Sequence, residues 1–154
     1  MIRFATYAPS VHHARMVSTA SHGTAIDAVV ESLRSSLQPA AILLYGSAAR
    51  GELRSTSDID LAVLLGRPAP AWAEANVLRL ELAEVAGCDV DLVFLDEASP
   101  ILAMEILRSG TVVDCADAEA FEAFAVRIFT DYADLKITRR PIEERLLRAS
   151  THDP

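Results

Sequence analysis

The sequence has few cysteines, no long apolar run and a shortage of basic residues. Only two cysteines occur in 154 residues, Cys88 and Cys115. They stand far apart in apolar surroundings and fit no metal-binding spacing. Buried free thiols in a reducing cytoplasm are the expectation. No apolar stretch reaches the ~18 residues of a membrane span. The N-terminus lacks the apolar core of a secretory signal. A soluble, cytoplasmic protein is therefore expected. Lys and Arg number 14 against 22 Asp and Glu, a formal net charge of -8. That excludes a general nucleic-acid binder, which needs a basic face for phosphates. It leaves room for a basic partner, or for an acidic site filled with cations.

What is present suffices for one domain. Apolar residues make up 51% of the chain, enough for a core at this length. Residues 1–22 show no steady period and are expected to form a loose arm. His12 and His13 have no third ligand near them and read as solvated. Residues 23–149 are expected to form a single domain, and 150–154 a tail.

Within that domain the apolar period alternates. Ile26, Val29, Val30, Leu33 and Leu37 recur at helical spacing, with Thr24 and Asp27 placed as a capping box. "AAILLYG" (40–46), "SDIDLAVLL" (57–65), "CDVDLVFL" (88–95) and "TVVD" (111–114) read as strands. Helices are expected over 69–87, 100–110 and 117–136, the first two stopped by Gly87 and Gly110. Ala75, Leu78, Leu82, Val85 and Ala86 share one face of the first of these. Phe121, Phe124, Ile128, Tyr132 and Leu135 form a stripe on the last. A final short helix is expected to start near Pro141. Helices alternating with short strands predict an α/β (α+β) fold, one small sheet with helices packed against it.

Chemistry concentrates between Leu44 and Leu65. Gly46 and Ser47 end the first strand, and a short helix is expected over 47–51. Glycine lets a ligand approach the backbone. The first amides of a helix are unpaired and favour an anion, and a serine hydroxyl adds a donor. This is a seat for phosphates, although alone it is also an ordinary turn. Ten residues on come Asp58 and Asp60. In a strand they face one side, their Cα atoms roughly 6.5–7 Å apart, while Ile59 between them faces the core. Two carboxylates so placed repel unless cations sit between them. Paired divalent ions in phosphoryl-transfer sites lie ~3.5–4 Å apart, and oxygen ligands suit Mg²⁺. The next strand brings Asp89 and Asp91. Asp91 is the more interior, flanked by Val90, Leu92 and Val93, and is the preferred third carboxylate.

These parts suggest one mechanism. One metal ion binds a nucleoside triphosphate. The other lowers the pKa of an attacking hydroxyl and meets the α-phosphate. Asp91 ligates the second ion and helps take the proton. Ser47 and backbone amides hold the outer phosphates, with Arg50 and Arg54 in reach of them.

Gly-Ser, ten residues and then Asp-x-Asp, followed by "VDLV", resembles the signature of the DNA polymerase β-like nucleotidyltransferase superfamily. The short length resembles its minimal nucleotidyltransferase branch, which includes antitoxins of the bacterial HEPN/minimal-nucleotidyltransferase (HepT/MntA) toxin–antitoxin pairs. The resemblance covers about residues 24–136. It implies a mixed β-sheet core and transfer of a nucleotide from a triphosphate with two Mg²⁺ ions. Gly46 and Ser47 would form the phosphate turn. Asp58 and Asp60 would bind both metals, and Asp91 the second. For the antitoxin branch it further implies transfer of AMP from ATP to a tyrosine of a partner HEPN-family RNase toxin, which is silenced.

Two other readings are open at this level. One is a nucleotidyltransferase acting on a small molecule such as an aminoglycoside, although few residues follow Leu95 to build an acceptor domain. The other is a non-catalytic antitoxin that neutralises its partner by binding alone. The acidic balance suits a basic RNase partner. The 117–136 helix, with Val126 and Phe129 off its main stripe, is the candidate partner surface.

Overall fold

Strand β1 (Ala41–Leu44) is wholly buried, and the rest of the sheet is laid out around it. The computed structural model describes residues 22–49 and 58–150. Helix α1 (His22–Leu37) leads into β1, which is followed by the one-turn helix α2 (Gly46–Ala49). Strand β2 (Ile59–Leu64), helix α3 (Trp72–Ala86) and strand β3 (Val90–Phe94) come next. Helix α4 (Pro100–Ser109), strand β4 (Thr111–Cys115) and helix α5 (Ala118–Ser150) complete the described residues. The strand order is β3-β2-β1-β4. β1 runs antiparallel to both β2 and β4, while β2 and β3 are parallel. The parallel pair needs a crossover, and α3 supplies it. The small sheet expected from the pattern is present, and it is mixed, as the family resemblance implies.

Side-chain alternation divides the core into two layers. Ile42, Leu44, Ile59, Leu61, Val63 and Val90 meet Val29 and Leu33 of α1 and Leu78 and Leu82 of α3. Ala41, Leu43, Ala62 and Leu64 meet Ala103 and Ile106 of α4 and Phe124 and Ile128 of α5. Each fully buried Leu or Ile contributes about 1.5–3 kcal/mol by leaving water, so the two layers fix the sheet's register from both sides. Asp60 has the parity of Ala62 and Leu64. It therefore faces the α4/α5 layer, as does Asp91, which has the parity of Val93.

Local signals set several helix ends. Ser99 accepts a hydrogen bond from the Leu102 amide at 3.3 Å, and Pro100 starts α4. Gly87 closes α3 in the left-handed region at φ 69°, its amide donating to Ala83 O at 2.9 Å. The carboxylate of Asp96 accepts from the Leu65 amide (2.7 Å) and the Gly66 amide (3.0 Å). It ties the loop after β2 to the end of β3.

Other expectations need correction. α1 starts at His22, so Thr24 lies within its first turn rather than at a cap. α3 starts at Trp72 rather than at residue 69. Pro70 disfavours helical backbone at Ala69, and the Glu74 side chain instead accepts from the Ala71 amide. Val85 is exposed at the edge of the face formed by Leu78 and Leu82. No new helix begins at Pro141, because α5 runs unbroken to Ser150. Proline fits helical φ, and the helix continues through it despite the lost amide bond and the crowding of the carbonyl four residues earlier, together about 3 kcal/mol. The cysteines are free but not buried. Cys115, at the end of edge strand β4, is exposed, and Cys88 is half-buried. Among the described residues, no helix is long and apolar enough to cross a membrane. His12 and His13 lie outside the described residues.

Candidate active site

Three neighbouring strand ends build the site. The chain leaves β1 at Tyr45, whose amide donates to the Asp60 carbonyl at 3.0 Å. That bond extends the β1–β2 ladder by one step and brings the next residue, Gly46, over Asp60. Gly46 adopts φ +66° and opens α2. The helix expected over 47–51 thus opens one residue earlier, at Gly46, and residues 50 and 51 lie outside the described residues. A Cβ on Gly46 would stand 2.0 Å from Asp60 Oδ2 and 2.8 Å from its Cγ. Glycine is required twice here, for the backbone conformation and for the space the carboxylate occupies. Ser47 follows on the same turn, half-buried.

Asp60 and Asp91 are direct partners in the parallel register of β2 and β3. Neighbouring strands lie about 4.8 Å apart, and both side chains leave the same face. Asp60 is half-buried and Asp91 exposed. Asp89, the competing candidate, sits one residue before β3, where its carbonyl accepts from the Ile59 amide at 2.9 Å. Asp58 is exposed, one residue before β2.

Two neighbouring groups register these charges. Tyr45 is pushed up to about 12, first by burial and then by the negative charges of Asp60 and Asp91. Its phenol therefore stays protonated beside the acid pair. Cys88 is raised from its ordinary value by burial first, then by Asp58 and Asp89. The structure thus gathers Gly46, Asp60 and Asp91 around Tyr45, with Ser47 on the adjoining turn. Asp58 stands at the margin, toward Cys88. Among the described residues, no three His, Cys, Asp or Glu side chains converge as a ready-made metal cage. Arg50 and Arg54 lie outside the described residues. A cleft of about 610 Å³, lined by Leu64, Asp96, Phe124 and Arg127 among others, lies at the other end of β2 and touches none of these acids.

Sequence reasoning passed over Tyr45 and Asp96. Tyr45 read as the last residue of an apolar strand, with nothing to mark it as facing two carboxylates. Asp96 lies in a polar turn, and its two amide partners are about 30 residues earlier.

Comparison with known proteins gives the family and the fold. The family described as "Polymerase beta, Nucleotidyltransferase" matches residues 27–119. The protein adenylyltransferase MntA of Shewanella oneidensis is 34% identical over 105 residues, covering 66% of this chain and 71% of that protein. The protein of the same name from Aphanizomenon flos-aquae is 26% identical over 105 residues, covering 62% of this chain and 69% of that protein. A solved toxin–antitoxin structure with AMP-PNP superposes with a TM-score of 0.69 at 30% identity, covering 79% of this chain and 97% of that one. A complex of tri-AMPylated Shewanella oneidensis HEPN toxin with MNT antitoxin gives 0.66 at 27% identity, covering 80% and 96%. The chain belongs to the polymerase β nucleotidyltransferase family.

Proposed function

We propose that this nucleotidyltransferase transfers AMP from ATP to a tyrosine of a HEPN-family RNase toxin, and that it acts as the antitoxin of that partner. The observation that carries the reading is the seating of Asp60 against the bare face of Gly46, with Asp91 beside it. Support for the acceptor comes from the relatives. They are named protein adenylyltransferases, and one related complex holds an AMPylated HEPN toxin.

The donor set fits Mg²⁺. All the donors are oxygens, and two carboxylates share one face beside a residue without a side chain. Mg²⁺ is commonly held by one or two carboxylates, with water and substrate phosphates completing its shell. Asp58, Asp60 and Asp91 would hold two such ions. When bound, Mg²⁺ neutralises phosphate charge and makes the attacking hydroxyl more acidic.

The chain's own residues do the rest. Gly46, with Ser47 beside it, lets the triphosphate come against the backbone, and the Ser47 hydroxyl donates to a phosphate oxygen. Arg50 and Arg54 belong to the segment between the two motifs and add positive charge to the phosphates. The acceptor oxygen attacks the α-phosphorus. The bond from that phosphorus to the bridging oxygen breaks, and pyrophosphate leaves. The acceptor's proton passes to the Asp91 carboxylate, the more exposed of the adjacent acids.

The test is to identify the product of the neighbouring gene and incubate it with this protein, Mg²⁺ and ATP, read by intact mass and peptide mapping; a neighbour that is not a HEPN-family protein overturns the reading. Adenylyl increments on a tyrosine are expected. A partner that gains no such mass overturns the reading.

A further inference from the structure

Tyr45 stands in one row with two carboxylates of the candidate site. Leu44 of β1 is the direct partner of Leu61 of β2, so the next antiparallel step sets Tyr45 opposite Asp60. The Tyr45 amide donates to the Asp60 carbonyl at 3.0 Å and continues that pairing. Asp60 is in turn the direct partner of Asp91. Direct partners on antiparallel strands have Cβ atoms about 4.5–5.5 Å apart. Tyr45 shares the parity of Ala41 and Leu43, which face α4 and α5, so all three side chains leave one face of the sheet. The Tyr45 ring packs on that layer, and its phenol is near enough to feel the charge of both acids.

The hydroxyl is available to a ligand. Asp60 and Asp91 act on it through space, and among the described residues none is hydrogen-bonded to it. A phenol carries its proton at neutral pH and can donate. A tyrosine side chain is longer than an aspartate's, so from the same face it can reach past the carboxylates to a group held above them. Its place in the row decides which group it meets. Tyr45 lies on the β1 side of Asp60, directly before Gly46 and Ser47, whereas Asp91 lies on the far side. We propose that the Tyr45 hydroxyl donates a hydrogen bond to a phosphate oxygen of the bound nucleotide and is a substrate-binding group of this site. The proposal rests on the reading of Gly46 and Ser47 as the triphosphate seat. Carboxylates repel a phosphate except through a metal ion, so a donor beside them complements the anion. A lysine or arginine at this position would pair with Asp60 and compete with the metal. A neutral donor does not.

Calorimetric titration of the purified chain in Mg²⁺ tests this, with an ATP analogue carrying a methylene bridge between its α and β phosphates. No acceptor protein is present, so the result does not depend on the HEPN-family partner. Tyr45→Phe keeps the ring and loses only the hydroxyl. Its dissociation constant is expected to rise roughly tenfold or more, the scale of a hydrogen bond to a charged group, with its melting temperature in the absence of nucleotide unchanged. Tyr132→Phe, on α5, is expected to bind as wild type. Inorganic triphosphate, which has neither base nor ribose, is expected to show the same ratio between wild type and Tyr45→Phe. Equal affinity of wild type and Tyr45→Phe for the analogue overturns the proposal. A loss seen with the analogue and not with inorganic triphosphate overturns the phosphate contact and moves the hydroxyl to the nucleoside. A wild-type chain that binds neither probe overturns the triphosphate seat and this proposal with it. The expected loss together with an unmodified HEPN-family partner upholds the proposal and overturns only the acceptor reading.

Discussion

The Asp60 carboxylate occupies the space that a side chain on Gly46 would need, since a Cβ there would lie 2.0 Å from Oδ2. The turn after β1 and strand β2 therefore fit together only when residue 46 is glycine. Gly46→Ala is expected to push the carboxylate off its position and to strain a backbone at φ +66°. Strain of that kind costs about 1–3 kcal/mol. Thermal unfolding checks the stability loss, and nucleotide transfer is expected to fall further than stability explains. An active, equally stable Gly46→Ala protein contradicts the contact.

Asp91 is set beside Asp60 by the β2–β3 register, and Asp89 is not. Asp91→Asn and Asp89→Asn change the net charge equally. Removing Asp91 is expected to lower the transfer rate roughly a hundredfold or more, the scale of losing one preorganised electrostatic contact to the reacting centre. Removing Asp89 is expected to leave the rate within a few-fold. Single-turnover kinetics with saturating ATP separates the two.

Asp96 holds the loop after β2 through the amides of Leu65 and Gly66. Asp96→Ala leaves both amides without that acceptor, at an expected cost of about 2 kcal/mol for charge-assisted bonds. Urea unfolding monitored by circular dichroism measures it, and Asp96→Asn is expected to recover part of the loss.

Cys115 is exposed yet expected to react slowly near neutral pH. Partial burial raises its pKa first, and the charges of Asp114 and Asp117 raise it further. The thiolate is the reactive form, so its fraction at neutral pH falls below that of an ordinary thiol. Alkylation by iodoacetamide is expected to accelerate as pH rises and to level off only above pH 9, the ordinary thiol value. Asp117→Asn is expected to move the curve toward lower pH.

Much of the fold is legible in the sequence because its signals are local. Alternation set β2 with Asp60 on one face and Ile59 on the other, and the Gly87 stop closed α3 where it is observed. Asp91 was separable from Asp89 because apolar neighbours mark the interior of a strand. What remained illegible is nonlocal or a balance of small terms. The facing of Tyr45 toward two acids depends on the order β3-β2-β1. The Asp96 clamp bridges two strand ends. The run of α5 through Pro141 departs from a start signal that is sound on average, since proline's φ also fits a helix interior.

The central claim is that Asp60, seated against Gly46, serves transfer of AMP to a protein. Its most direct test compares wild type with Asp60→Asn by intact mass of the HEPN-family partner after incubation with ATP and Mg²⁺. Wild type is expected to add adenylyl groups to the partner. The variant, folded by circular dichroism, is expected to be slower by roughly a thousandfold, the several kcal/mol expected from losing a metal-binding carboxylate. Equal adenylylation by the variant, or an unmodified partner with wild type, contradicts the account.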